Sequence, residues 1–176
     1  MIQMYDNILN IFTSIKTPYQ ITLIGPPLCG KSTFIKFLKA HCVSKGHQAF
    51  YVISRDDILL DVAGTENYTE AWSKADQNVV NEKLKEKFES LSNSDKNVII
   101  DMTNMTSKGR IKNNDMFKNH YKVAVVLDWD KDELIERNGI RKEKENKFIP
   151  LNVIDSMIQN YNDTNLSEGF DLIIKL

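Results

Sequence analysis

Cysteine is scarce in this chain. Its 176 residues hold two, Cys29 and Cys42, which give neither a disulfide framework nor a paired metal-ligand spacing. Glycine and proline number seven and four and nowhere join serine in a linker, so the reading is one domain over residues 1–176. There is no internal repeat and no low-complexity tract. No apolar run approaches the roughly 20 residues that a membrane span needs. The start, MIQMYDNILN, lacks the basic region, apolar stretch and cleavage site of a signal peptide. Neither sign of charge dominates: 23 Lys and Arg stand against 24 Asp and Glu, net −1. That argues against a histone-like nucleic-acid coat and leaves room for a local basic groove. Together these absences lead to the expectation of a reduced, cytoplasmic, non-membrane protein. Its length suits one ordinary core.

What is present alternates strand and helix. Ile8, Leu9, Phe12 and Ile15 stand at helical spacing, so residues 4–15 read as an amphipathic helix. Its outer face could serve a dimer or pack on the sheet. A strand at 20–25 precedes a helix over 31–44, with Phe34, Phe37, Leu38 and Ala40 turned inward. Strands follow at 48–54, 97–101, 122–128 and 170–176. Helices are expected at 69–92, around 107–119, at 131–138 and from Pro150 to about 161, with proline as first residue. Several strands are near-continuous Val/Ile/Leu runs, the pattern of strands covered on both faces. The fold class is therefore α/β: three layers, with a mostly parallel central sheet of about five strands and helices on both faces.

Residues Gly25, Pro26, Pro27, Leu28, Cys29, Gly30, Lys31 and Ser32, followed by Thr33, match the G-x-x-x-x-G-K-[ST] phosphate loop. The strand before it and the helix after it are the context the motif requires; the alternative is a chance glycine turn. Gly25 and Gly30 permit a tight loop whose N–H groups face an anion, and the helix N-terminus adds positive potential. Lys31 would reach the β- and γ-phosphates of ATP or another nucleoside triphosphate, and Ser32 would ligate Mg²⁺. Cys29 reads as a small solvent-facing side chain, or else as a thiol activated by the helix end.

The strand NVIID ends in Asp101, placed to hold Mg²⁺ beside Ser32 or merely to cap a helix. Asp101, Thr103 and Asn104 offer polar groups at the sheet edge where ligands bind. Strand 48–54 leads into Arg55, Asp56 and Asp57. Asp56 is the candidate base for an acceptor hydroxyl, and Asp57 could cap a short helix from Ile58. Residues 137–147 carry a local charge of +3. They read either as a solvated loop or as a lid (139–149) whose Arg137 and Arg141 approach the triphosphate. Four residues apart, these arginines share a face if the helix continues through them. His41, His47 and His120 read as surface groups. Trp72 and Phe88 read as core rather than as a base-stacking platform.

Taken together, GPPLCGKST (25–33), SRDD (54–57), VIIDMTNMT (98–106), DELIERNGIR (132–141) and IPLNVIDSM (149–157) resemble the kinase domain of the phage-type polynucleotide 5′-hydroxyl kinases. The resemblance runs from about residue 20 to 161. It implies a P-loop kinase that uses ATP and Mg²⁺ to phosphorylate the 5′-OH end of RNA or DNA in end repair. Any 3′-phosphatase or ligase would then be a separate protein. It implies Lys31, Asp56 and Arg141 as catalytic, Arg137 as a second lid arginine, and Arg55, Asp57, Asp101, Thr103 and Asn104 on the acceptor side or near the metal. One position departs: Leu59 stands where the family commonly has an arginine that grips the acceptor's phosphate. Lys74, Arg110 and Lys112 are candidate substitutes, and Leu59→Arg is expected to tighten acceptor binding. The departure keeps a second reading open, a P-loop kinase for a small-molecule or tRNA-linked hydroxyl. A third reading is a loop that binds nucleotide without chemistry.

Overall fold

The structure, a computed structural model, describes residues 8, 11, 12, 14–45, 49–145 and 147–176. Five strands, β1 (Tyr19–Ile24), β2 (Phe50–Ser54), β3 (Asn97–Asp101), β4 (Tyr121–Val126) and β5 (Leu172–Lys175), form one sheet in the order β2-β3-β1-β4-β5. Every neighbouring pair is parallel. Parallel strands need crossovers, and helices supply them: α1 (Lys31–Lys45), α2 (Arg55–Ala63), α3 (Tyr68–Lys74), α4 (Gln77–Ser92), α5 (Ser107–Met116), α6 (Lys131–Glu145) and α7 (Leu151–Gln159).

The strand residues divide by parity, as successive side chains must. Ile21, Leu23, Ile99, Val123 and Val125 pack on one face against Phe34, Ile35 and Leu38 of α1, Leu134 of α6 and Ile154 of α7. Val98 and Ile100 face the other side, against Phe88 and Leu91 of α4 and Phe117 just past α5. Ile24, Ala124 and Val126 pack on Phe170. The expected three-layer α/β fold with five parallel strands is the observed one.

Several boundaries differ from the sequence reading. The 69–92 helix is two, because Asp76 leaves the helix and caps Asn78 N–H of α4 with its own carboxylate. The short helix begins at Arg55 rather than Ile58. Its cap is Ser54, whose Oγ accepts from Asp57 N–H at 3.2 Å, so Asp57 is left available. α6 runs to Glu145, seven residues beyond expectation, and Pro150 is the cap before α7 rather than its first residue. Ala40 is exposed, and Ile35 takes the inward place. Ile8, Ile11, Phe12 and Ser14 are helical, with Ile8 and Phe12 in the core. Of the 4–15 helix expectation, Ile15 lies past the helix end, and the remaining residues, like His47, lie outside the described residues. His120 is buried, not superficial: its Nε2 meets the Lys96 carbonyl at 3.0 Å.

β1 and β3 are neighbours whose connections leave in opposite directions, β1 toward β2 and β3 toward β4. That is the switch point where open α/β sheets bind ligands. The phosphate loop and Asp101 emerge on either side of it.

Candidate active site

The loop after β1 adopts left-handed or extended-positive backbone at Gly25 (φ 153°), Leu28 (φ 72°) and Gly30 (φ 107°). At Gly25 only hydrogen fits, since a Cβ would stand 2.5 Å from Cys29 Sγ. The loop closes on its neighbour strand: Gly25 N–H donates to the Thr103 carbonyl at 3.0 Å. Lys31 is buried and its ammonium donates to the carbonyls of Gly25 (2.8 Å) and Pro26 (2.6 Å). Burial pushes the Lys31 pKa down, while Cys29, Asp101 and Asp56 oppose the shift. Cys29 is also buried, contrary to expectation, and burial raises its thiol pKa. A protonated, covered thiol is inert rather than activated.

A cavity of about 1150 Å³ opens over this loop. Pro27, Leu28, Gly30, Lys31, Ser32 and Thr33 of the loop and helix start line it together with Arg55, Asp56, Asp57, Asp101, Thr103, Arg141 and Lys147. The cavity therefore brings the phosphate loop together with the carboxyl ends of β2 and β3 and with two cations from α6 and the segment after it. Burial raises the Asp101 pKa, Lys31 resists, and Asp56 and Asp57 add to the rise. Ser32 and Asp101 are an oxygen-donor pair suited to Mg²⁺, which takes few protein ligands and keeps waters and phosphate oxygens. Among the described residues no group of three His, Cys, Asp or Glu is placed so that it could hold a metal ion by itself.

Asp56 accepts from the Tyr68 hydroxyl at 3.3 Å and has Lys147 Nζ 3.7 Å from its other oxygen. Lys147 also stands 3.8 Å from the centroid of the Tyr68 ring. Neither partner was singled out from sequence. Tyr68 is raised in pKa by burial, then by Asp56, so it stays a donor at neutral pH. Arg55 donates to Gln77 Oε1 at 2.7 Å and lies 5.1 Å from the centroid of Trp72. Trp72, expected in the core, is 47% exposed and lines the cavity; Phe88 is buried as expected.

Other candidates lie elsewhere. Gly25, Pro26 and Cys29 shape the loop without lining the cavity. Because α6 continues, Arg137 and Arg141 do share a helix, but only Arg141 lines the cavity. Arg137 donates to the Leu28 carbonyl at 2.8 Å and pairs with Glu133, bracing the loop from outside. Asn104 (φ 49°) donates to the carbonyls of Leu23 (2.7 Å) and Met102 (3.1 Å), so it ties the β3 loop to β1.

The three suggested replacements for the missing clamp do not reach the cavity. Arg110 is fully buried, bound by both carboxylate oxygens of Glu168 at 2.5 and 2.7 Å and by the Asn104 and Met105 carbonyls at 3.0 Å. Lys74 pairs with Glu70 on the surface, and Lys112 is exposed on α5. Leu59 itself is fully buried among Ile58, Ala71 and Val80. An arginine there would bury an unpaired charge, so the tightening expected of Leu59→Arg does not follow. The cation that does line the cavity beside Asp56 is Lys147, 3.7 Å away.

Fold and loop together define a P-loop α/β domain. The chain belongs to the AAA_33 family, an AAA domain, whose model matches residues 21–164. Solved structures of similar fold include a gluconokinase from Sinorhizobium meliloti 1021, at 16% identity and TM-score 0.58, covering 92% of this chain and 83% of that one. Kti12 of Chaetomium thermophilum in complex with ADP-AlF3 matches at 15% identity and TM-score 0.65, over 89% and 88%. A chain of the Pnkp1/Rnl/Hen1 RNA repair complex matches at 23% and 0.63, over 84% of this chain and 45% of that one. Comparison with curated proteins gives no match.

Proposed function

We propose that this chain is an ATP-dependent polynucleotide 5′-hydroxyl kinase. The observation that carries the reading is Asp56, a carboxylate facing the phosphate loop across one cavity and flanked by aromatic and cationic side chains suited to a nucleotide. Asp56 takes the proton of the acceptor hydroxyl. The acceptor oxygen forms a bond to the γ-phosphorus as the bond to the β-bridging oxygen breaks, its electron pair leaving with ADP. Lys31 swings from the loop carbonyls to the β- and γ-phosphates. Arg141 meets the charge that accumulates on the transferring group. Ser32 and Asp101 would hold Mg²⁺, which neutralises phosphate charge. Thr103, Arg55 and Asp57 bound the acceptor side.

The resemblance to polynucleotide kinases supports this reading, as does the similar fold of a chain in an RNA repair complex. One observation favours a small-molecule or tRNA-linked acceptor: the turn that carries the family's arginine is filled by buried Leu59. Incubation with γ-labelled ATP, Mg²⁺ and 5′-OH oligonucleotides, RNA and DNA side by side, decides between them. Label on an oligonucleotide 5′ end is the expected result. ATP turnover with no label on either would move the assignment to the small-molecule class.

A further inference from the structure

Trp72 is an aromatic residue that the core does not use. It projects from α3, a helix packed on α2 by Ala71, with 47% of its surface open and its ring on the cavity wall. Its surroundings are ordered. Arg55 stands 5.1 Å from the indole centroid, held from behind by Gln77 at 2.7 Å. Tyr68 meets the indole edge-on at 6.2 Å between centroids. The Tyr68 hydroxyl in turn reaches Asp56 at 3.3 Å, and Lys147 covers the Tyr68 ring. A tryptophan one aromatic ring away from the candidate base, with one cation against it and a second over the neighbouring tyrosine, is the composition of a single-strand binding platform: π-faces for bases, cations for the backbone.

We propose that Trp72 stacks on the terminal nucleobase of the acceptor strand, with Arg55 and Lys147 meeting the phosphate that follows it. This rests on the polynucleotide kinase reading and narrows it. Stacking is tolerant of base identity, so the enzyme accepts any 5′ nucleoside. It requires the base to leave its own stack, so the preferred acceptor is a single strand or a 5′ overhang rather than a blunt or recessed end. The platform replaces part of the grip that Leu59 cannot provide.

The test compares two acceptors, a 5′-OH single-stranded oligonucleotide and the same oligonucleotide with an abasic terminal nucleoside. Stacking on one aromatic ring corresponds to about tenfold or more in affinity. The wild-type KM is therefore expected to rise about tenfold or more on the abasic acceptor. Trp72→Ala should show the higher KM on both acceptors, and Trp72→Phe should restore most of the difference. Discrimination retained by Trp72→Ala would overturn the platform and leave the kinase reading standing. The chain has two tryptophans, and Trp129 packs on Tyr161, so Trp129→Phe isolates Trp72 fluorescence. Titration without ATP should quench it with the intact oligonucleotide and not with the abasic one. Quenching without any phosphoryl transfer would keep the platform and sink the kinase reading. Equal quenching by both acceptors, or none, would overturn the platform.

Discussion

Lys31 and Asp56 line the same cavity, and the proposed function gives them different work, so under it their loss should look different. Lys31→Ala removes the cation that reaches the phosphates, and both nucleotide turnover and transfer should fall by two or more orders of magnitude. Asp56→Asn keeps shape and loses only the proton acceptor. It should lose transfer by about 10²–10⁴-fold while a nucleotide titration gives an unchanged Kd. Equal transfer in Asp56→Asn would remove it as the base. His120 tests the core instead. A carbonyl only accepts, so Nε2 carries the proton toward Lys96, and Nδ1 is buried with no partner. Protonating Nδ1 would add a charged donor with nothing to receive it, and burial lowers the pKa accordingly. The unfolded chain then binds the proton more readily, so stability is full above the ordinary value of 6.5 and falls as pH drops below it. Denaturant titrations at pH 7.5 and 5.5 should show a smaller acid loss in His120→Gln, whose amide can still donate to Lys96; equal losses would refute the account. The candidates for this chemistry were legible locally as positions: loop, candidate base and candidate metal carboxylate all stand at strand ends in the sequence, and the fold gathers them on one cavity. Trp72 and Tyr68 were not, because their placement depends on which face of α3 the core leaves uncovered, and Lys147 was not, because the chain beyond α6 brings it in.

Strand identity was readable because buried strands need continuous apolar runs, and that pattern is a property of a few adjacent residues. Helix ends were harder. The helical period passes through Ala75–Asp76 with no glycine or proline to interrupt it, and the break appears only because Asp76 caps the next helix. The reverse happens at Asn138-Gly139, a pair that reads as a turn but lies inside α6. There Asn138 is buried and clamps the returning chain, donating to the Ile149 carbonyl at 2.7 Å and accepting from Ile149 N–H at 3.1 Å. That long-range pair fixes the segment bearing Lys147 and Phe148 against α6, and no local signal announces it. The burial of Arg110 is equally non-local, since its partner Glu168 comes 58 residues later. Gly139 then has no conformational reason to be glycine. A Cβ there meets nothing within 4 Å, and an interior helical glycine costs about 0.5–1 kcal/mol relative to alanine. Gly139→Ala should raise stability by about that amount, roughly 2–4 °C in Tm per kcal/mol. A lower Tm would mean that α6 needs the freedom at this point, between the two arginines.

A net charge of −1 hides an uneven distribution. Residues 55–95 hold five basic and ten acidic residues, while 102–150 hold eleven basic and eight acidic. Folding draws from both to build the cavity wall: Lys31, Lys36, Arg55, Arg141 and Lys147 outnumber Asp56, Asp57 and Asp101. Positive charge is thus concentrated at the cavity, in a molecule whose other residues sum to −3. Lys31 and Arg141 are assigned to the nucleotide, which leaves Arg55 and Lys147 for the acceptor backbone. A protein that neutralises so few phosphates releases few counterions, and each contributes a slope of about 0.7 in log affinity against log salt for a single strand. Log affinity for the acceptor, measured from 50 to 400 mM KCl with a long 5′-OH oligonucleotide, should therefore fall against log salt with a slope of about −0.7 to −1.4, and shortening the oligonucleotide to a few nucleotides should leave it unchanged. Lys147→Ala should reduce it by about 0.7. A slope steeper than about −3, or one that grows with oligonucleotide length, would mean that the strand continues along a charged surface outside the cavity, and the end-gripping mode would be wrong.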